Sequence, residues 1–257
     1  MAGQNWTRTE TLTAFALYCR IPFGRLHSRN PEIIQIAAKL GRTPSALAMK
    51  CRNLASLDDT HQSRGVKGLQ KVSTADRQLW ADFCTRPEEI SFEAATTLAD
   101  LESRSAYPQV EPLLVERTGD EREQMVRRRV NQYFFRNLIL IGYGEACAVC
   151  RLPLRELLIA SHIVPWSVDE KVRMNPRNGL CLCGTHDRAF EQGILRVERS
   201  YAISIHVPEQ YRGTPSVAEW LLRYEGERIQ LPHRWIPDPE LLDRKLAMVT
   251  AGYTDEE

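Results

Sequence analysis

The 257-residue chain has no run of 18 or more apolar residues, so no membrane-spanning helix is expected. Its first 30 residues lack a basic stretch followed by an apolar one, so no secretory leader is expected either, and the protein is expected in the cytoplasm. No internal repeat and no long low-complexity stretch is present. That leaves ordinary globular organisation, one large domain or two to three small ones at this length. A disulfide framework is also excluded. The seven cysteines are odd in number, and Cys147, Cys150, Cys181 and Cys183 crowd together, which suits metal binding in a reducing compartment.

The formal net charge of +1 hides an asymmetry. Residues 1–72 carry eleven Lys/Arg against four Asp/Glu, whereas residues 73–116 carry three against nine. A basic N-terminal end hints at nucleic-acid contact, although such a face is often only solvated.

The first 57 residues read as a three-helix module. One helix spans about Thr9 to Cys19, with Leu12, Phe15, Ala16 and Cys19 at helical spacing. A second opens at Asn30-Pro31, an N-cap followed by Pro at N1, and ends at Gly41. A third opens at Thr43-Pro44 and packs Leu47, Ala48, Cys51 and Leu54, leaving Ser45, Lys50, Arg52 and Asn53 on its other face. This pattern suits a helix-turn-helix or Myb/SANT-like DNA-binding module, with Lys50 and Arg52 as DNA contacts, or else a plain docking module.

Residues 58–118 read as a linker and an acidic helical region. A long helix is expected from about Asp120 to Ile141, lined by Arg127, Arg128 and Arg129, which are candidate phosphate contacts. Residues 208–257, net acidic, read as helical support and a possible dimer surface.

The chemistry sits between. Cys147-x2-Cys150 and Cys183-x2-His186 are two ligand pairs that can close a tetrahedral zinc site, with Cys181 as an alternative to Cys183. Between them lies an apolar strand ending at Ser161-His162-Ile163-Val164-Pro165-Trp166. Asn178-Gly179-Leu180 follows, then His186-Asp187-x3-Glu191 on a helix.

Residues 147–195 resemble the HNH (ββα-metal) endonuclease superfamily, and in particular bacterial restriction-type HNH nucleases. The resemblance implies an α+β, mostly helical chain whose HNH domain, here residues 119–207 with the preceding basic helix, is stapled by structural Zn2+. It implies His162 as general base and Asn178 as the residue that bridges the loop and orients it. It also implies Asp187 and Glu191 as ligands of a catalytic Mg2+ or Mn2+, with double-stranded DNA as the partner and a homodimer as the assembly. A slip of one residue would make His186 the catalytic ligand and rob the zinc site. Ser161 departs from the family, where an Asp or His usually precedes the base. A non-catalytic DNA-binding regulator and an RNA nuclease are the alternative functions.

Overall fold

The structure, a computed structural model, describes residues 5–58, 72–103 and 119–252. The expected linker centre and the Tyr107–Pro112 break lie outside the described residues. Among the described residues no helix is long and apolar enough to cross a membrane. The chain divides into two compact units, Met1–Ile141 and Gly142–Glu257. Together they make a mostly helical α+β protein.

The first unit is helical. It contains α1 (Arg8–Arg20), α2 (Pro31–Lys39), α3 (Pro44–Ala55), α4 (Thr74–Thr85), α5 (Pro87–Glu102) and α6 (Gly119–Gly142), the last ending at the unit boundary. Local chemistry sets the ends. Thr7 and Glu10 form a capping box at α1, Asn30 accepts from the Glu32 and Ile33 amides at α2, and the Thr43 hydroxyl accepts from the Ala46 amide at α3. Gly41, at φ 64°, closes α2 in a left-handed turn in which the Arg42 amide donates to the Ala37 carbonyl. Arg86-Pro87 divides the expected acidic helical stretch into α4 and α5.

The expected single apolar face of α1 is too narrow. Every residue from Thr11 to Cys19 is buried, because α3, α4 and α5 all pack against the helix. Thr11 and Thr13 are tolerated there because their hydroxyls donate to the Thr7 and Thr9 carbonyls at 2.8 and 2.9 Å. Phe15 anchors an aromatic cluster, 4.9 Å from Phe83, 6.3 Å from Trp80 and 6.4 Å from Phe134. In α6 the apolar packing begins only at Val130, and Val126 is exposed.

The second unit holds β1 (Leu158–His162), β2 (Gly179–Cys183), α7 (Gly184–Glu191), β3 (Leu195–Val197), β4 (Ile203–Ile205), α8 (Glu209–Arg212), α9 (Pro215–Trp220) and α10 (Pro239–Thr250). β1 pairs antiparallel with β2, placing Leu158 opposite Cys183 and His162 opposite Gly179. β3 and β4 form a second hairpin. α9 is followed by a 3-10 turn at Leu222–Tyr224. Trp220 is 54% exposed. Gly193, at φ 68°, closes α7; a Cβ there would lie 2.1 Å from Val249 Cγ1, so the absent side chain lets α10 approach.

The Arg42 guanidinium donates to both Glu10 carboxylate oxygens at 2.7 and 3.0 Å, which together with the Thr7 cap holds that carboxyl below its usual value of 4.5. A depressed carboxylate stabilises the fold above its unfolded pKa and loses that contribution as pH falls through the folded one. Glu10→Gln is therefore expected to lower Tm at neutral pH by a few degrees, for a loss of about 1 kcal/mol. The gap to wild type should narrow as pH falls from 4.5 through the folded-state value. Thermal melts across pH check this, and a constant gap would contradict it.

Candidate functional site

The first ligand pair sits in a tight turn before β1. The Arg151 amide donates to the Cys147 carbonyl at 3.0 Å, and the Ala148 amide donates to the Cys181 carbonyl at 2.7 Å, fixing the turn to β2. The second pair straddles the strand-to-helix junction: Cys183 ends β2 and caps α7, and His186 lies in its first turn. The ligand atoms of Cys147, Cys150, Cys183 and His186 all lie within 4.8 Å of one another. His186 Nδ1 is 3.6 Å from Cys147 Sγ and 3.1 Å from Cys183 Sγ, and Cys150 and Cys183 sulfurs are 3.8 Å apart. Tetrahedral zinc, with Zn–S of about 2.3 Å and Zn–N of about 2.0 Å, places ligand atoms roughly 3.5–3.8 Å apart, so the four residues fit the metal. Cys181 is buried and does not belong to the cluster.

His186 is oriented from behind. Its Nε2 donates to the Trp220 carbonyl at 3.1 Å, which leaves Nδ1 facing the thiols, and Tyr224 packs edge-on against the ring at 5.2 Å. Hydrogen bonds from the Cys183 thiol and from His186 hold Cys147 down to about 3, while burial pushes Cys150 up.

His162 ends β1 and is half-buried. Its Nε2 lies 2.9 Å from the Arg173 carbonyl. Trp166 packs edge-on at 5.4 Å, and the Arg173 side chain donates to the Trp166 carbonyl at 2.6 Å. Asn178 is fully buried. Its Oδ1 accepts from the Val164 amide at 2.8 Å, and its Nδ2 donates to the Val164 and Val172 carbonyls at 3.0 and 3.2 Å. It thus staples both ends of the loop that carries Trp166 and Arg173, and touches no position where a substrate atom would react.

Asp187 is buried, and its Oδ1 has no hydrogen-bond partner. Burial pushes the carboxyl up to about 6, and a hydrogen bond from the Ser161 hydroxyl opposes that. Ser161, the departure from the family pattern, supports the carboxylate. Glu191, one turn on, is half-exposed, lies 3.2 Å from the Arg188 guanidinium and adds like charge beside Asp187. Sequence reasoning missed Lys245 of α10. It is buried, with Nζ 5.3 Å from the Phe190 ring centroid, and its charge favours the ionised form of Asp187. Nothing in local spacing marks a residue that far along the chain.

The remaining candidates lie in the first unit. Arg127 and Arg128 are exposed on α6 and Arg129 is half-buried; the Arg127 guanidinium lies 4.6 Å over the Phe92 ring. Three consecutive helical residues are about 100° apart and cannot share a face. Lys50 must be corrected. It lies on the inner side of α3, 3% exposed, in an ion pair with the equally buried Asp76 and 5.1 Å from the Trp6 ring centroid. It spaces with Leu47 and Leu54, so the apolar face carries it inward. Arg52 is exposed, its Nε donating to the Leu26 carbonyl at 2.8 Å.

Two antiparallel strands and a following helix, with a histidine at the end of the first strand and carboxylates on the helix, define a ββα-metal centre. Residues 147–198, about a fifth of the chain, match the family model described as HNH endonuclease, and the protein carries an HNH domain there. Comparison with curated proteins and with solved structures found no match.

Two outcomes are expected. Wild type should bind about one zinc ion, and Cys150→Ser should lose it together with the folding of the second unit, by metal analysis and thermal melting, because structural zinc supplies on the order of 10 kcal/mol. With zinc bound and no Mg2+ or Mn2+ added, Asp187→Asn should melt higher than wild type at pH 8, by about 2 °C. The Asp187 pKa is raised from 3.8 to about 6, so its stabilising share is present below 3.8 and is lost as pH rises through 6; the amide removes that loss. A lower melting point at pH 8 would count against the buried, unpaired carboxylate.

Proposed function

We propose that the protein is a metal-dependent endonuclease that hydrolyses phosphodiester bonds of double-stranded DNA. The observation that carries this reading is the 2.9 Å contact between His162 Nε2 and the Arg173 carbonyl. The Arg173 carbonyl can only accept, so the ring proton resides on Nε2 and the lone pair of the neutral ring falls on Nδ1. An imidazole set this way, at the end of a strand beside a helix bearing Asp187 and Glu191, suits a general base.

His162 Nδ1 takes a proton from the attacking water as its oxygen bonds to phosphorus. The bond from phosphorus to the 3′ oxygen breaks, and the leaving oxygen takes a proton from solvent. Asn178 is a positioning residue that acts through the loop. Asp187 and Glu191 would hold Mg2+ or Mn2+, with Ser161 supporting Asp187; oxygen donors suit either ion. When bound, the ion supplies charge stabilisation to the phosphate oxygens and the leaving group. One centre per chain and two strands to cut favour a homodimer. The sequence resemblance is what supports a role in restriction or phage defence.

The test is cleavage of plasmid DNA, phage DNA and RNA with Mg2+, Mn2+ or EDTA. Wild type should cut duplex DNA only with the divalent ion. His162→Ala should lose about 10²–10⁴-fold in rate with its zinc content unchanged. Cleavage in EDTA, or an active His162→Ala, would refute the mechanism. DNA binding with no cleavage by wild type would point to a regulator on an HNH scaffold.

A further inference from the structure

Half of the described Lys and Arg side chains of the N-terminal segment are paired with carboxylates inside the first unit. Arg8 reaches Glu93 and Asp82 at 2.7 and 3.6 Å, Arg20 pairs with Glu102 at 2.7 Å and with Glu32, and Arg42 pairs with Glu10. Lys50 pairs with Asp76, and Lys39 donates to the Leu101 carbonyl at 2.7 Å. Most of these acidic partners belong to α4 and α5. The acidic region thus neutralises the faces of α1 and α3 that composition alone would offer to nucleic acid.

Among the described residues of this segment, four basic side chains escape this pairing, and they lie on one loop and the helix bonded to it. Arg25, His27 and Arg29 are exposed on the loop between α1 and α2, and Arg52 is exposed on α3. The Arg52 Nε bond to the Leu26 carbonyl brings the α3 residue onto that loop. The loop is built rather than loose. Leu26 is fully buried, the Leu26 amide donates to the Phe23 carbonyl, and the Asn30 side chain donates to the Arg25 carbonyl at 3.0 Å while its oxygen caps α2. None of the four side chains has an acidic partner among the described residues. Meanwhile the first turn of α3, where a helix-turn-helix protein would present base-reading side chains, offers only Pro44, Ser45 and Ala46.

We infer that Arg25, His27, Arg29 and Arg52 form a phosphate-binding surface that grips duplex DNA without reading its sequence. Guanidinium groups on a braced loop suit backbone oxygens, and such contacts position a protein on a duplex without specifying bases. The inference rests on the reading of DNA as substrate, but its test does not depend on catalysis.

Binding of the zinc-loaded wild type and variants to two short duplexes of unrelated sequence is measured by fluorescence anisotropy with no Mg2+ or Mn2+ added, from about 50 to 200 mM salt. Each phosphate neutralised adds roughly 0.9 to the slope of log affinity against log salt. Arg25→Ala/Arg29→Ala should lower the slope by about 1–2 units and weaken both duplexes alike, by roughly ten-fold, with an unchanged melting temperature. Arg52→Ala should add to the loss, and Arg77→Ala, at an exposed arginine of α4 that is not part of the patch, should change nothing. Should Arg52→Ala unfold, the double variant, whose side chains are exposed, carries the test alone. Unchanged affinity in the double variant, loss on one duplex only, or no duplex binding by wild type would each overturn the surface. A wild type that binds through this patch but never cuts would sink the nuclease and leave the grip standing. A wild type that cuts while the patch variant binds normally would do the reverse.

Discussion

The second unit depends on four ligand atoms held within 4.8 Å of one another. Its strands are three to five residues long, and the helix that bears Asp187 and Glu191 has eight. Elements this short bury too little apolar surface to fix their own geometry. A Cys3His cross-link between the turn before β1 and the junction of β2 with α7 supplies what the core lacks. It also sets the start of α7, and with it the direction in which Asp187 and Glu191 project. His186 and Asp187 are adjacent in sequence but point to different tasks, one toward the thiols and the other toward Ser161. This geometry favours the register in which His186 serves the zinc site.

The centre is also a place where the fold carries unfavourable terms. Asp187 is buried with an oxygen lacking a hydrogen-bond partner, and Glu191 adds like charge. In a protein with no use for that oxygen, an amide or an apolar residue would be more stable. The surroundings offset part of the strain. Ser161 donates to the carboxylate from β1, and Lys245 brings a cation from α10, which reaches this spot because Gly193 has no side chain to hold Val249 away. A buried acid supported from two sides, yet left with an open oxygen, is the arrangement expected where a cation is to be received.

The local part of this organisation was legible in the sequence. Asn30-Pro31 and Thr43-Pro44 signal helix starts because a cap acts within three residues, and the two Cys-x2 pairs signal metal because ligation needs that spacing. The His162 to Asn178 relation was legible through family resemblance, and its physical content became visible only with the buried Asn178 side chain bonded across the loop. Long-range partners were not legible. Lys245 and Gly193 matter through contacts spanning tens of residues. The all-round burial of α1 was hidden because its sequence alternates threonine and alanine with larger residues, and threonine reads as polar until its hydroxyl is seen bonded to its own helix. Lys50 was legible in principle, since it shares a face with Leu47 and Leu54. A charge on an apolar face implies a buried partner, and that partner is Asp76.

Net charge along a sequence is therefore a poor map of charge on a surface. Residues 1–72 and 73–116 are opposite in sign, and in the first unit the two excesses meet: Arg8 with Glu93 and Asp82, Arg20 with Glu102, Lys50 with Asp76. Charges that meet inside a fold contribute little field outside it, because each pair is close to neutral at distances beyond a Debye length of about 8–10 Å. A ligand senses the remainder. Among the described residues of that segment, the remainder lies on one braced loop and the adjoining helix, and arginine supplies three of its four groups. The basic N-terminal composition and the acidic region after it are thus, in large part, two halves of one packing arrangement.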